Sequence, residues 1–215
     1  MTSRPYVSPR RAAAAIATHA RVIAAATELL RKEDGANAMS LESAAKAAGV
    51  ARATVYNQFG SRRGLLEAVF DERAREGGLF RIAGAMALEN PHDSLHRVIA
   101  IFCDFWSFDP AIGRLNTTAS RDAEFAQAIA ERNERRRKVL SAAVGRLHHA
   151  GLIRAKARTD LVDLLFVFTS WAMFDQLRRG DRSAKAVRAL IVSASDAALA
   201  AAAPRSSRTR LPPSL

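Results

Sequence analysis

A chain of 215 residues, near half of them apolar and a quarter charged, can bury a sizeable core in one or two domains and has an ordinary globular composition. Its net charge of +12 suits a nucleic-acid partner, but residues 1–78 hold twelve Lys or Arg against eight Asp or Glu, so only a local arrangement of charge is evidence. The single cysteine, Cys103, excludes an intrachain disulfide, and no run approaches the roughly 18 apolar residues of a membrane span.

Residues 1–10, with Pro5 and Pro9, read as a disordered basic arm. From about Arg11 to Lys32, Ile16, Ala20, Ile23, Ala26 and Leu30 return every three or four residues, which predicts a helix. His19 and Arg21 interrupt its alanine run too early for an export signal, so a cytoplasmic location and no membrane partner are expected. Asp34-Gly35 ends the helix, and Met39 is expected beneath the bundle.

Ser40 is a fit N-cap for a short helix whose small apolar face is Leu41, Ala44, Ala45 and Ala48. Gly49 falls where a helix ends in the left-handed conformation, with Val50 as the apolar plug of the turn. A second helix over about 52–59 sets Val55 and Phe59 inward, leaving Arg52, Thr54, Tyr56, Asn57 and Gln58 on its other face. Those guanidinium, hydroxyl, phenol and amide groups suit phosphates and base edges. Gly60 breaks this helix, and Ser61 can cap the next beside Arg62 and Arg63. From Ser43 to Leu66 the only charges are Lys46, Arg52, Arg62 and Arg63, all positive. Together these are a helix-turn-helix signature.

The stretch GVARATVYNQFGSRRGLL, preceded by RVIAAATELL and Gly35, resembles the N-terminal DNA-binding domain of the TetR family of transcriptional regulators. The matching features are Gly49-Val50, Ala53-Thr54, the Tyr56 to Phe59 spacing, and Ser61-Arg62 followed by Leu65-Leu66. Four positions depart from the family's usual pattern: Ala51 replaces a capping serine, Gly60 a proline, and Arg63-Gly64 an acidic residue and alanine. The resemblance implies base contacts from Arg52, Ala53 and Tyr56, and phosphate contacts from Ser40, Lys46, Thr54, Asn57, Gln58 and Arg62. Glu42 is an acid near the groove that either accepts from cytosine or faces solvent.

Beyond Gly64 the third helix continues to about Glu76, and Gly77-Gly78 places a domain boundary near 78. A helix beginning at His92 or Asp93 carries Leu95, Val98, Ile99, Phe102, Phe105 and Trp106, and Asp109-Pro110 stops it. After a short stretch at 112–118, a long helix spans about 121–150 and closes at Gly151. The next, about 161–178, is apolar nearly all round, which implies two partners. A last helix over about 183–202 holds Val187, Leu190, Ile191, Ala194 and Ala198, and the tail 204–215 is expected to be disordered. The expectation is an all-α chain of about nine helices, divided into arm 1–10, head 11–78, bundle 79–203 and tail.

For the C-terminal half the resemblance implies a homodimer and a small-molecule effector, apolar or aromatic, released against a palindromic double-stranded operator. Candidate pocket residues are Phe102, Phe105, Trp106, Phe125, Phe166, Trp171 and Phe174. The expected dimer interface is Leu161, Leu165, Phe168, Val187, Leu190, Ala194 and Ala198. Arg132, Asn133 and Arg136 lie near the buried phase of their helix and are expected to snorkel outward. His92 and His96 stand one helical turn apart, but no third ligand follows in sequence, so neither metal nor cofactor is expected. Without a phosphate loop or nucleophile motif, a repressor is expected rather than an enzyme. The alternatives are a sequence-tolerant architectural DNA binder and a small helical enzyme using Cys103 and His96.

Overall fold

The computed structural model describes residues 9–32, 39–119 and 122–204. Eleven α-helices and two short 3-10 turns make up these residues, with no strand among them. Residues 1–8, Asp34-Gly35 and the tail beyond Pro204 lie outside the described part, whereas Pro9 and Arg10, expected in the disordered arm, begin the first helix. Chain contacts group into two compact units: the chain up to Phe80 with Asp104–Asn133, and Arg81–Cys103 with the chain from Glu134 onward. The chain passes between the units at 80–81, 103–104 and 133–134, so two long helices each contribute to both.

In the first unit, α1 (Pro9–Arg31) packs on α2 (Leu41–Ala48), α4 (Arg62–Glu76) and α7 (Pro110–Ala119). Val22, Ile23, Ala26 and Leu30 form its buried stripe, as their spacing dictates. By length and composition alone, α1 is long and apolar enough to cross a membrane, contrary to the sequence expectation. Its stripe from Val22 to Leu30 is covered by its neighbours, while Ile16 is open. At its C-terminus Arg31 reaches the buried carboxylate of Asp109. That carboxylate also accepts from Arg73 at 3.3 Å and from the Ala111 N–H at 2.9 Å, which starts α7. The first part of α8 (Ala123–His149) adds Phe125, Ala128 and Ile129 to this core.

The second unit contains α5 (Ile82–Met86), the first part of α6 (Pro91–Phe108), the rest of α8, and α9 (Arg158–Phe168), α10 (Trp171–Leu177) and α11 (Ala184–Ala202). Asn90 starts α6, its Oδ1 accepting the His92 N–H at 2.8 Å. Arg146 closes α5 by donating to the carbonyls of Met86 and Glu89 at 2.7 and 3.2 Å. Arg154 does the same for α11, meeting Ala202 O at 3.2 Å and Ala201 O at 2.5 Å.

The helix expected over 161–178 is two helices. Thr169 donates to Leu165 O at 2.7 Å, and Ser170 accepts the Met173 N–H at 3.1 Å, capping a new helix. Such local hydroxyl bonds compete with the helical ladder. Arg136, only 6% exposed, takes the freed Phe166 carbonyl at 2.5 Å and Thr169 Oγ1 at 2.9 Å, and lies 4.0 Å over the Phe166 ring. Arg136 therefore does not snorkel. Desolvation, with the nearby Arg137 charge, lowers its pKa to about 10. This break and the ordered α5 and α7 account for more helices than expected.

The apolar phase of the last helices also differs from expectation. Leu161, Leu165 and Val187, assigned to a dimer interface, are buried where α9 packs on α11 within the chain. Leu164, Val167 and Leu190 are the large apolar side chains left open, 45%, 50% and 43% exposed. Phe168, Ala194 and Ala198 are half-buried.

Candidate nucleic-acid interface

The interface begins with Ser40. Its Oγ accepts the Ser43 N–H at 3.0 Å, and Ser43 Oγ accepts the Ser40 N–H at 2.9 Å, so each satisfies the other's end group. Gly49 ends α2 in the left-handed region at φ 65°, donating to Ala45 O and Lys46 O. The Val50 N–H then reaches Ala45 O at 3.0 Å, completing a Schellman-type turn. That corner aims α3 (Arg52–Phe59).

The α3 helix has no side-chain cap at Ala51, and only the Ala51 carbonyl starts its ladder. Val55 is fully buried. Phe59 stacks on His19 of α1, with ring centroids 4.6 Å apart and 19° between planes, so α1 holds the far end of the helix. Its other face is open: Arg52, Ala53 and Asn57 are exposed, and Tyr56 is 60% exposed. Thr54 is half-buried. An arginine fork, a phenol and a carboxamide thus stand on one rigid face without an acid among residues 52–59.

Gly60 ends α3 at φ 71°, its N–H donating to Tyr56 O at 2.7 Å. Ser61 Oγ accepts the Gly64 N–H at 3.1 Å and caps α4. Leu65 and Leu66 are fully buried below. On α2, Lys46 and Glu42 are both exposed. Ser40 is exposed too, its hydroxyl already serving the cap.

Two expected phosphate contacts are placed differently. Arg62 donates through Nε to Met39 O at 2.8 Å and through Nη1 to the Asp122 carboxylate. It braces α4 against the loop before α2 because a carboxylate sixty residues away meets it, which no local pattern announces. Gln58 is half-buried, and its Oε1 is a buried atom with no hydrogen-bond partner among the described residues. Arg63 pairs with Glu67 at 2.6 Å along its own helix.

The seven aromatic pocket candidates fall in both units. Phe105, Trp106 and Phe125 are buried in the first, where Phe105 meets Phe70 at 5.8 Å and Trp106 at 4.8 Å. Phe102 and Phe174 are buried in the second, with Phe166 and Trp171 half-buried. Cys103 is also buried, while His96 meets Asp196 at 2.6 Å.

Residues 22–69 match the family model for bacterial regulatory proteins of the tetR family. No curated protein matches the chain in sequence. Among solved structures, the fatty acid degradation regulator FadR from Bacillus halodurans superposes with a TM-score of 0.69 at 17% identity, over 90% of this chain and 96% of that one. A TetR-family regulator from Syntrophomonas wolfei gives a TM-score of 0.73 at 10% identity, over 86% and 96%. A transcriptional regulator from Saccharomonospora viridis, solved in complex with choline, gives 0.65 at 14% identity, over 83% and 95%. These likenesses extend the shared fold well beyond the matched segment. Residues 22–69 are thus a TetR-type helix-turn-helix domain, and the chain as a whole shares the all-helical fold of these solved structures.

Proposed function

We propose that the protein is a sequence-specific transcriptional regulator that binds double-stranded DNA as a homodimer and releases it on binding a small effector, acting as a repressor in the cytoplasm. The open face of α3, fixed by the Gly49 corner and the Phe59–His19 stack, is the observation that carries this reading. Arg52 is suited to guanine O6 and N7, Tyr56 to a thymine methyl, and Ala53 allows close approach to the bases. Ser40, Lys46, Thr54 and Asn57 contact phosphates. Arg62 braces α4, and Gln58 lies too far inward for a backbone contact.

Two copies pair through the exposed Leu164, Val167 and Leu190, whose helices supply two members each of a four-helix interface. The paired heads read half-sites of a palindrome. The effector binds in the helical bundle, with the half-buried Phe166 and Trp171 as its accessible aromatic residues and the buried Phe102 and Phe174 as further candidates. A solved protein of this fold holding choline supports a small-molecule site. Release requires the effector to prefer a conformation unable to engage both half-sites, since a ligand shifts an equilibrium only by its differential affinity.

Selecting genomic fragments bound by the purified chain tests the proposal. A shared inverted repeat is the expected outcome. Bound fragments with no common sequence would replace the regulator with a sequence-tolerant binder.

A further inference from the structure

In the second unit, His92 and His96 of α6 meet Asp196 of α11. The His96 Nε2 lies 2.6 Å from Asp196 Oδ1 and the His92 Nε2 3.2 Å from the same oxygen. Three donor atoms, one from each residue, lie within 4.8 Å of one another. The two imidazole rings are 4.2 Å apart, so they flank one point rather than splaying along the helix. All three side chains are partly open to solvent.

We propose that His92, His96 and Asp196 form a binding site for one divalent transition-metal ion of the Zn2+ class. Imidazole and carboxylate are ligands that Zn2+ accepts, and three protein donors leave a fourth position for water or an anionic ligand. Metal–ligand bonds of about 2.0–2.1 Å at tetrahedral angles separate adjacent donors by about 3.3 Å. The His92–Asp196 distance already matches that separation, and the His96–Asp196 pair opens by about 0.7 Å to admit an ion. The i, i+4 histidines sit on a regular α-helical turn of α6, so two of the three ligands are set by rigid backbone. The ion joins segments 100 residues apart in sequence, clipping α11 to α6. All three residues belong to the second unit, and the proposal does not depend on DNA binding.

The test is a calorimetric titration of Zn2+ into the full-length, chelator-treated chain. One ion per chain is expected, with a dissociation constant in the micromolar range or below. His96→Ala and Asp196→Asn each weaken binding at least about tenfold, whereas a variant with His148→Ala and His149→Ala binds as the parent does. At a hundredfold excess over its dissociation constant, Zn2+ raises the Tm of the parent by about 5–10 °C and that of Asp196→Asn by about half as much or less. His92→Gln, at an open surface position, supplies a further ligand-deleted chain, and matching Tm values without metal show that each variant is folded. Binding no tighter than millimolar, or Zn2+ affinity unaltered by His96→Ala and Asp196→Asn, would overturn the site and leave only a carboxylate shared by two imidazoles.

Discussion

Arg31 holds Asp109 through two near-parallel hydrogen bonds, Nε to Oδ1 at 3.1 Å and Nη2 to Oδ2 at 2.6 Å. This fork ties the end of α1 to the start of α7, so the helix that supports α3 through His19 is itself anchored.

Burial alone would raise the Asp109 carboxyl. The Arg31 hydrogen bond, the Ala111 N–H, the Arg31 charge and the Arg73 bond outweigh it and hold the group below the usual carboxylate range. A carboxyl depressed in the folded state stabilises above its unfolded value, about pH 4, and loses that contribution as pH falls through the folded value. Asp109→Asn is therefore expected to cost about 1.5–3 kcal/mol at pH 7, by urea unfolding. The deficit should shrink as pH falls below about 4, because only the parent loses an ionised partner there. A deficit independent of pH would mean that the charge of Asp109 contributes nothing.

Gly60 and Gly64 act as a pair. Gly60 sits at φ 71°, a value closed to the proline common at this position in the family. A Cβ on Gly64 would lie 2.1 Å from the Phe59 carbonyl oxygen, so glycine is needed where α3 and α4 approach. Gly64→Ala should destabilise the chain by about 1–3 kcal/mol and weaken DNA binding by rotating α3. Unchanged melting and unchanged affinity would show that the corner relaxes freely.

Arg52→Ala should weaken binding to a selected site by about 1–3 kcal/mol and relax preference at one base pair. Lys46→Ala should lower the salt slope by about 0.9 without altering sequence preference. Arg62→Ala should leave that slope unchanged and lower the melting temperature, since its guanidinium serves Met39 and Asp122. Anisotropy titrations across a salt series separate the three. A fall in slope for Arg62→Ala would return it to the DNA contacts.

The head was legible because its signals are local. Ser40, Gly49, Gly60 and Ser61 act within a few residues of themselves, and the apolar period of α1 is unambiguous. Partners far along the chain gave no such signal: Asp109 for Arg31, Asp122 for Arg62 and Asp196 for His96. The phase of α9 was also hidden. Its residues are apolar nearly all round, so periodicity could not tell Leu161 and Leu165, which are buried, from Leu164 and Val167, which are open. The break at Thr169 depended on a buried arginine that its helix pattern marks only as near the core.

Leu190→Glu and Val167→Glu should each yield monomers in sedimentation experiments while keeping the helical content of the parent. Both positions are exposed within one chain, so loss of folding is not the expected effect. A persistent dimer would place the interface elsewhere.

The most direct measurement compares the affinity of the purified protein for a selected genomic site with that for random duplex of equal length, at one fixed salt concentration near physiological. A ratio above about a thousand is the result expected of a regulator that reads bases through α3. A ratio near one would contradict it and make the open face of α3 a device for holding any duplex.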